Sequence, residues 1–465
     1  MSSFLGTERR TLRAGASGTR DRLVARVARM AGWLSRVTRM GAGATVPGRI
    51  VHRLDPGFIR RRAAALPDGI VVVSGTNGKT TTASMVQSVL RSQGISFIAN
   101  PTGSNLLGGV ANALVEAAPG TRMGVFEVDE AALPRLVPLL KPRLLILTNV
   151  FRDQLDRFGE PERVAALLRL ACERLPDGAT VVANADDIQL WSAVQACDPI
   201  GFGVSGISVS SDSGTEAEPV GCPSCGAELE FTHRTLANLG QARCERCGWR
   251  SARPRHRARV VATAGLEGIV FEIADEIVTL PVGGVHSAYN AAAAITAVEV
   301  LGIPAGAAIG ALEEYQPRFG RAEEIRFEDH TLWLGLIKNP AGATVLTQQV
   351  AADRRVGAVV LSVNDNDADG QDISWIWDAD FETLVESGMP LVPGGRRADD
   401  VAVRLRYAGG QPLPAQRDPL TALRAALDAA PDHDLIVVLA TYTAMLDIRE
   451  ALFDRSTRVQ DAATA

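Results

Sequence analysis

GIVVVSGTNGKTTT (Gly69–Thr82) decides how the rest of the chain is read. An apolar, β-branched run ends at Ser74 and a glycine-rich turn follows. SMVQSVLRSQG (84–94) then reads as a helix. In such a turn the backbone amides point inward and cradle phosphate oxygens at the start of the helix. Gly75 and Gly78 permit the positive φ and close backbone approach that this requires. Lys79 then reaches the β- and γ-phosphates, the Thr80 hydroxyl is placed for Mg²⁺, and Thr76, Asn77 and Thr81 complete the cradle. The pattern departs from the general G-x-x-x-x-G-K-[ST] form, because Val73 holds the place of the first glycine. The plain alternative is a glycine-rich turn that happens to carry one lysine. The succession of buried strand, turn and helix favours the phosphate loop.

Outward from this loop the text keeps alternating. MGVFEVDE (123–130), RLLILTNV (143–150) and ATVVANADD (179–187) read as strands, and PERVAALLRLACERL (161–175) as a helix. Strands of that type separated by helices predict an α/β fold with a parallel sheet. A polar Gly/Ser loop (205–219) leads into a cysteine-rich module at 220–255. Strand-like text resumes at 258–282, and HSAYNAAAAITAVEVLG (286–302) is a helix. After YQPRFGRAE (315–323) a second alternation begins. TLWLGLIKNP (331–340), VGAVVLSVND (356–365) and HDLIVVLAT (433–441) look like buried parallel strands, with helices at 341–353 and 418–430. For 465 residues a count of about three units is expected. They are a basic amphipathic segment (1–45), a central nucleotide-binding α/β domain (46–319) with an insert at about 219–256, and a Rossmann-like C-terminal α/β domain (320–465).

The composition is ordinary, with 46% hydrophobic and 22% charged residues, which argues against disordered and fibrous classes. A formal net charge of −5 gives no global case for nucleic-acid binding. No apolar run reaches the roughly 18–20 residues of a membrane-spanning helix, and the N-terminal text lacks the apolar core of a signal peptide. A cytosolic protein is expected. Residues 21–40 place Leu23, Val24, Val27, Met30, Trp33, Leu34, Val37 and Met40 at helical spacing among arginines. Such a helix either packs on the body of the protein or rests on anionic head groups at the inner face of the plasma membrane. Only three of the 48 cationic residues are lysines: Lys79, Lys141 and Lys338. Chemistry that requires a lysine amine therefore has three candidates.

Cys222-Pro-Ser-Cys225 and Cys244-Glu-Arg-Cys247 form two C-x₂-C knuckles separated by eighteen residues. Two thiolates from each knuckle complete a tetrahedral Zn²⁺ site, and four thiolates leave no open position, which points to structural zinc. Disulfides or a redox C-x-x-C fit the cytosolic setting and the duplication less well. Arginines surround the module, but no aromatic platform for stacking bases accompanies them. Cys172 and Cys197 lack the glycine-flanked elbow of a catalytic thiol. In VVLSVNDNDADGQDISWIWDADFE (359–382) a buried strand ends in Asn364, Asp365, Asn366, Asp367, Asp369 and Asp372. Polar residues at a strand's carboxyl end mark ligand sites in α/β sheets. An Asx-rich turn with Asp372 or Ser374 capping the next helix is the plain alternative.

Several motifs, taken in order, resemble the Mur ligase and folylpolyglutamate synthetase family. GTNGKTT resembles its ATP loop. Glu127 in FEVDE is similar to its Mg²⁺-holding glutamate. TNVFRDQLDRFG (148–159) resembles its T-N-x-x-x-D-H-L-D-x-x-G stretch, with Gln154 in place of histidine. Asn290 in HSAYNAAAA is similar to the asparagine that approaches adenine. Arg321 in FGRAE is similar to the arginine that faces the nucleotide phosphates. The resemblance spans about residues 45–345. Two departures matter. Gly335-Leu336-Ile337-Lys338-Asn339-Pro340 lacks the family's ribose-binding aspartate and places Lys338 where a histidine is usual. No lysine lies between Lys141 and Lys338, so the carbamylated lysine of the amino-acid-adding members has no counterpart.

With the Cys₄ insert and the N-D-x-x-x-D-G-x-D-x-S-W-x-W segment, the chain resembles the MurT branch, the synthetase subunits of lipid II isoglutaminyl synthase. That resemblance implies ATP-dependent amidation of the α-carboxylate of D-glutamate in the lipid II stem, giving D-isoglutamine through an acyl phosphate. It also implies a heterodimer with a GatD-type glutaminase that supplies ammonia. An aspartate of this chain would complete the partner's Cys-His triad: Asp369 by position, with Asp365 and Asp372 as rivals. The competing readings are a stand-alone Mur or folylpolyglutamate-type amino-acid ligase, and a zinc-ribbon P-loop protein that binds nucleic acid.

Overall fold

The computed structural model describes residues 55–101, 103–152, 161–206, 220–317 and 321–463, with a few positions between 30 and 53. Apart from Met30, the amphipathic segment 21–40 lies outside them, as do residues 153–160 of the TNVFRDQLDRFG stretch and the polar loop 207–219.

Among the described residues, eleven strands precede residue 281: β1 (Ile70–Ser74), β2 (Phe97–Ala99), β3 (Met123–Glu127), β4 (Leu144–Leu147), β5 (Thr180–Asn184), β6 (Ile200–Ser205), β7 (Glu230–Leu236), β8 (Leu239–Arg243), β9 (His256–Ala264), β10 (Gly268–Ile273) and β11 (Glu276–Leu280). Nine of them form one sheet in the order β11-β10-β9-β6-β5-β4-β1-β3-β2, and β7 and β8 pair apart as a hairpin. From β2 to β9 the neighbours are parallel. β10 and β11 then fold back antiparallel, so the text at 258–282 extends the sheet with a meander rather than with more crossovers.

The strands read as continuous apolar runs because both faces of the sheet are covered. Side chains alternate along a strand. Val71 and Val73 enter one cluster, with Leu144, Ile146 and Val182. Ile70 and Val72 enter the other, with Leu145, Leu147 and Val181. Helix α1 (Lys79–Ser92) and helix α2 (Val285–Val300) cover the first face. Ala291 to Ala294 on α2 are fully buried, and their small side chains let it lie close against its neighbours.

The second sheet has the order β12-β13-β16-β14-β15. Its strands are β12 (Arg321–Phe327), β13 (His330–Leu336), β14 (Val356–Ser362), β15 (Leu391–Gly394) and β16 (Leu435–Ala440). β13, β16, β14 and β15 are parallel, and β12 is antiparallel. Helix α3 (Pro340–Ala351) follows β13 and helix α4 (Tyr442–Ala463) follows β16. Val359, Leu361, Val437 and Leu439 pack on one face, and Ala358, Val360, Ile436 and Val438 on the other.

Two of the contacts between the two halves bear on the site. Asp353, just past α3, accepts a hydrogen bond from Leu266 N at 3.0 Å in the β9–β10 turn. The start of α3 reaches the loop after β1, where the site lies.

Candidate active site

The loop after β1 sits at the carboxyl ends of the parallel strands, with β3 on one side and β4 on the other, the place where α/β sheets hold ligands. Gly75 has φ 124° and Gly78 φ 81°. A Cβ on Gly75 would fall 2.3 Å from Thr148 Oγ1, and one on Gly78 2.2 Å from Asn290 Oδ1. Both glycines are therefore required by conformation and by space. The end of β4 fixes the loop's shape. Asn149 Oδ1 accepts from Asn77 N at 2.8 Å, and Thr148 Oγ1 donates to Asn77 O at 2.7 Å. Thr76 Oγ1 accepts from Phe151 N at 3.1 Å. Thr148 and Asn149 lie within the TNVFRDQLDRFG stretch, but only the folded structure assigns them this task.

Lys79 opens α1, and its side chain is almost wholly buried. Its Nζ donates to Gly75 O at 2.5 Å and pairs with Glu130 at 3.2 Å. Burial pushes the Glu130 carboxyl up, against the lowering pull of the Lys79 ammonium. Thr80 Oγ1 donates to Glu127 Oε2 at 2.7 Å. This hydroxyl–carboxylate pair is the hard oxygen donor set that Mg²⁺ prefers. Of the three acids in Glu127-Val128-Asp129-Glu130, the family resemblance pointed to Glu127; Glu130 is found only through its partner Lys79.

The second sheet closes the site from the other side. Lys338 Nζ, at the end of β13, donates to Thr76 O at 3.1 Å. The side chains of Asn339 and Asn77 pair reciprocally: Asn339 Nδ2 donates to Asn77 Oδ1 at 2.9 Å, and Asn77 Nδ2 to Asn339 Oδ1 at 3.3 Å. Asn339 also caps α3, its Oδ1 accepting from Gly342 N at 2.9 Å.

A cavity of about 610 Å³ lies between the sheets, and its lining includes Thr76 to Thr81, Glu127, Asn290, Lys338 and Asp369. Asn290, on α2, stands over Gly78 and accepts from Thr82 Oγ1 at 3.2 Å. Arg321 is the first residue of β12, and its side chain is outside the described residues.

The polar segment after β14 separates its three candidate triad aspartates. Asp369 is buried and turned inward. It holds the start of α4, accepting from Thr443 N at 2.7 Å and from Thr443 Oγ1, and burial pushes its carboxyl up. Asp365 pairs with Arg396 at 3.3 Å and Arg397 at 3.4 Å. Asp372 is exposed and accepts from Ser374 N at 2.8 Å, opening the short 3₁₀ turn Ser374–Trp377.

The four module cysteines converge. Their sulfurs all lie within 4.8 Å of one another, with Cys222–Cys247 at 3.6 Å and Cys225–Cys244 at 3.5 Å. Tetrahedral thiolates about 2.3 Å from zinc stand roughly 3.8 Å apart, so the cluster fits that ion. Each knuckle turns on a glycine of positive φ, Gly226 at 74° and Gly248 at 78°. Cys172 and Cys197 both pack into the apolar cluster beneath the first sheet.

Residues 336–445 match the MurT ligase C-terminal family model, and residues 73–220 match the Mur ligase middle domain. The chain is 34% identical over 430 residues to "Lipid II isoglutaminyl synthase (glutamine-hydrolyzing) subunit MurT" of Streptococcus pneumoniae, covering 90% of this chain and 94% of that protein. The chain belongs to the MurT family. The Staphylococcus aureus (strain COL) protein of the same name is 31% identical, covering 88% of this chain and 93% of that protein. Solved structures with the same fold include a pseudomurein peptide ligase type C from Methanothermus fervidus (TM-score 0.64, 20% identity, 83% of this chain and 78% of that one). MurF ligase from Thermotoga maritima in complex with ADP is another (TM-score 0.62, 14% identity, 88% and 85%). Membership of this ligase family implies ATP and Mg²⁺, and MurT is by name one subunit of a larger enzyme. Among the described residues, no helix is long and apolar enough to cross a membrane.

Proposed function

We propose that this chain is the synthetase subunit of a lipid II isoglutaminyl synthase. It amidates the α-carboxylate of D-glutamate in the lipid II stem peptide with ammonia from a GatD-type glutaminase, within peptidoglycan biosynthesis. The observation that carries the reading is the phosphate loop itself. Lys79 and the Thr80–Glu127 pair stand together over a glycine cradle, in a chain with no lysine between Lys141 and Lys338. Such a site can activate a carboxylate but lacks the lysine that amino-acid-adding relatives carbamylate. Cys172, built into the core, and Cys197, packed against it, leave glutamine hydrolysis to a partner.

In this reading the amides of Gly75 to Thr81 orient the triphosphate of ATP. Lys79 and Lys338, from opposite sheets, neutralise the charge that develops on the transferring phosphoryl group. Thr80 and Glu127 would hold Mg²⁺, which draws electron density from the phosphate oxygens. The carboxylate oxygen takes the γ-phosphoryl group and ADP leaves. Ammonia then attacks the acyl carbon, loses a proton, and phosphate departs as the amide forms. Asn290 and Arg321 bind the nucleotide. Cys222, Cys225, Cys244 and Cys247 would hold zinc, which fastens the two knuckles. Asp369 serves the partner's triad, which requires its carboxylate to turn out from Thr443; Asp365 and Asp372 are the alternatives. The basic segment 21–40 brings the chain to the anionic inner leaflet, where the lipid-linked substrate resides.

The chain co-purified with its glutaminase should convert lipid II to the amidated form when given ATP and glutamine, read by mass spectrometry. The chain alone should do so with ammonium salts but not with glutamine. An amino acid joined to the substrate in place of ammonia would overturn the proposal in favour of a stand-alone ligase.

A further inference from the structure

We infer that the β7–β8 hairpin of the cysteine ribbon is the wall on which the nucleotide base packs, so that the ribbon is part of the binding site. This rests on the reading of the cavity as the ATP site.

Leu236 ends β7 and Leu239 begins β8, joined by a two-residue turn in which Ala237 has φ 45°. Both leucines line the cavity at its junction with α2, although they belong to the inserted module. They share one apolar cluster with Phe151 and Tyr289, which also line it. Phe151 lies two residues past the loop-holding Asn149, and Tyr289 adjoins Asn290. A triphosphate anchored at Gly75–Thr81 needs a non-polar surface for its flat heterocycle, and these four side chains supply one.

The hairpin is fixed in place by a buried polar knot. Asp186, wholly buried just past β5, accepts from Gln241 Nε2 at 2.7 Å, Tyr289 Oη at 3.0 Å and Val204 N at 2.7 Å, and pairs with Arg257 at 3.1 Å. Thr235 Oγ1 and Tyr289 Oη lie 2.5 Å apart, and Gly240 N donates to Asp186 O at 2.9 Å. Asp187 pairs with Leu239 across a β-bridge while its carboxylate accepts from Val150 N at 2.6 Å, beside the phosphate loop's own support. Ordinary core packing would need the leucines but not this tie between insert, strand ends and α2. The cavity has a second apolar surface, with Trp333 of β13, Val345 of α3 and Met445 of α4, which is the rival seat for the base.

The test compares a non-hydrolysable ATP analogue with inorganic tripolyphosphate, both with Mg²⁺, by calorimetric titration of the full chain in complex with its glutaminase. Leu236→Ala should weaken the analogue roughly tenfold and leave tripolyphosphate unchanged, since only the base contact is lost. Thr235→Val, which keeps side-chain size and cuts the tie to Tyr289, should weaken the analogue in the same selective way and serves if Leu236→Ala does not fold. Equal losses for both ligands would overturn the inference, because the wall would then be only structural. So would an unchanged analogue affinity, or a selective loss in Trp333→Leu but not in the hairpin variants. If the wild-type complex binds neither ligand, the ATP reading of the cavity itself fails, which is a distinct result.

Discussion

Asn339 joins two tasks in one side chain, and substitutions can separate them. It is wholly buried, caps α3 through Gly342 N, and pairs reciprocally with Asn77 in the phosphate loop. Asn339→Ala removes a helix cap, which costs about 1 kcal/mol. It also removes two amide hydrogen bonds worth about 1 kcal/mol each, partly recovered because the half-buried Asn77 carboxamide can turn to water. The expected loss is about 2 kcal/mol, read as a lower urea midpoint at unchanged slope. Asn339→Ser keeps a capping oxygen but cannot reach Asn77, so about 1 kcal/mol should return. A double-mutant cycle with Asn77→Ala should give a coupling of about 1 kcal/mol. Affinity for an ATP analogue should fall in the serine variant as well, because the loop has lost its tether to the second sheet. If Asn339→Ser is no better than Asn339→Ala and the cycle shows no coupling, the bridge between the sheets carries no energy and the reasoning fails.

Lys79→Met should lower ATP-dependent amidation by roughly a thousandfold or more while the fold survives, because the Glu130 carboxyl, already pushed up by burial, can go neutral; circular dichroism and an activity assay check both halves. Asp353 is held at about 2, below its ordinary 3.8, first by its hydrogen bonds from Arg355. Its ionised form therefore stabilises the native state above pH about 4, and that contribution is lost as pH falls through about 2. Asp353→Asn should cost about 1–2 kcal/mol at neutral pH, discounted for the partly exposed Arg355, and the variant should converge with the parent near pH 2 in thermal scans. Cys244→Ser should abolish stoichiometric zinc by metal analysis and expose the ribbon to limited proteolysis around residues 222–247, with the parallel sheet left intact.

Much of this architecture was readable from residue order. β1, β3, β4, β14 and β16 are buried on both faces, so they stand out as short apolar runs. The knuckles announce themselves through cysteine spacing, and Gly226 and Gly248 take the positive φ that their positions require. What stayed hidden depends on distant partners. Asn77 and Asn339 are 262 positions apart, and nothing local links them. Glu130 differs from its neighbouring acids only by facing Lys79. Leu236 and Leu239 look like ordinary hairpin residues until the insert is seen docked against α2. The antiparallel β10–β11 return has the same alternating text as a pair of crossover strands.

The position of the cysteine ribbon has a consequence for how the chain is made. β6 and β9 are parallel neighbours, and about fifty residues must leave the sheet and return before they can pair. Zinc held by the four cysteines would join positions 222 and 247 inside that excursion and so would roughly halve the free length to be closed. The equilibrium gain is only about 0.6 kcal/mol, since loop entropy grows slowly with length. The larger effect is on timing. An early metal-bound knot would present β9 to its neighbour already oriented, while an unmetallated chain would have to search with β5 and β6 exposed. Scarcity of zinc during synthesis would then be felt as a lower yield of fully folded subunit, and only molecules that acquired the metal would carry an ordered ribbon beside the cavity.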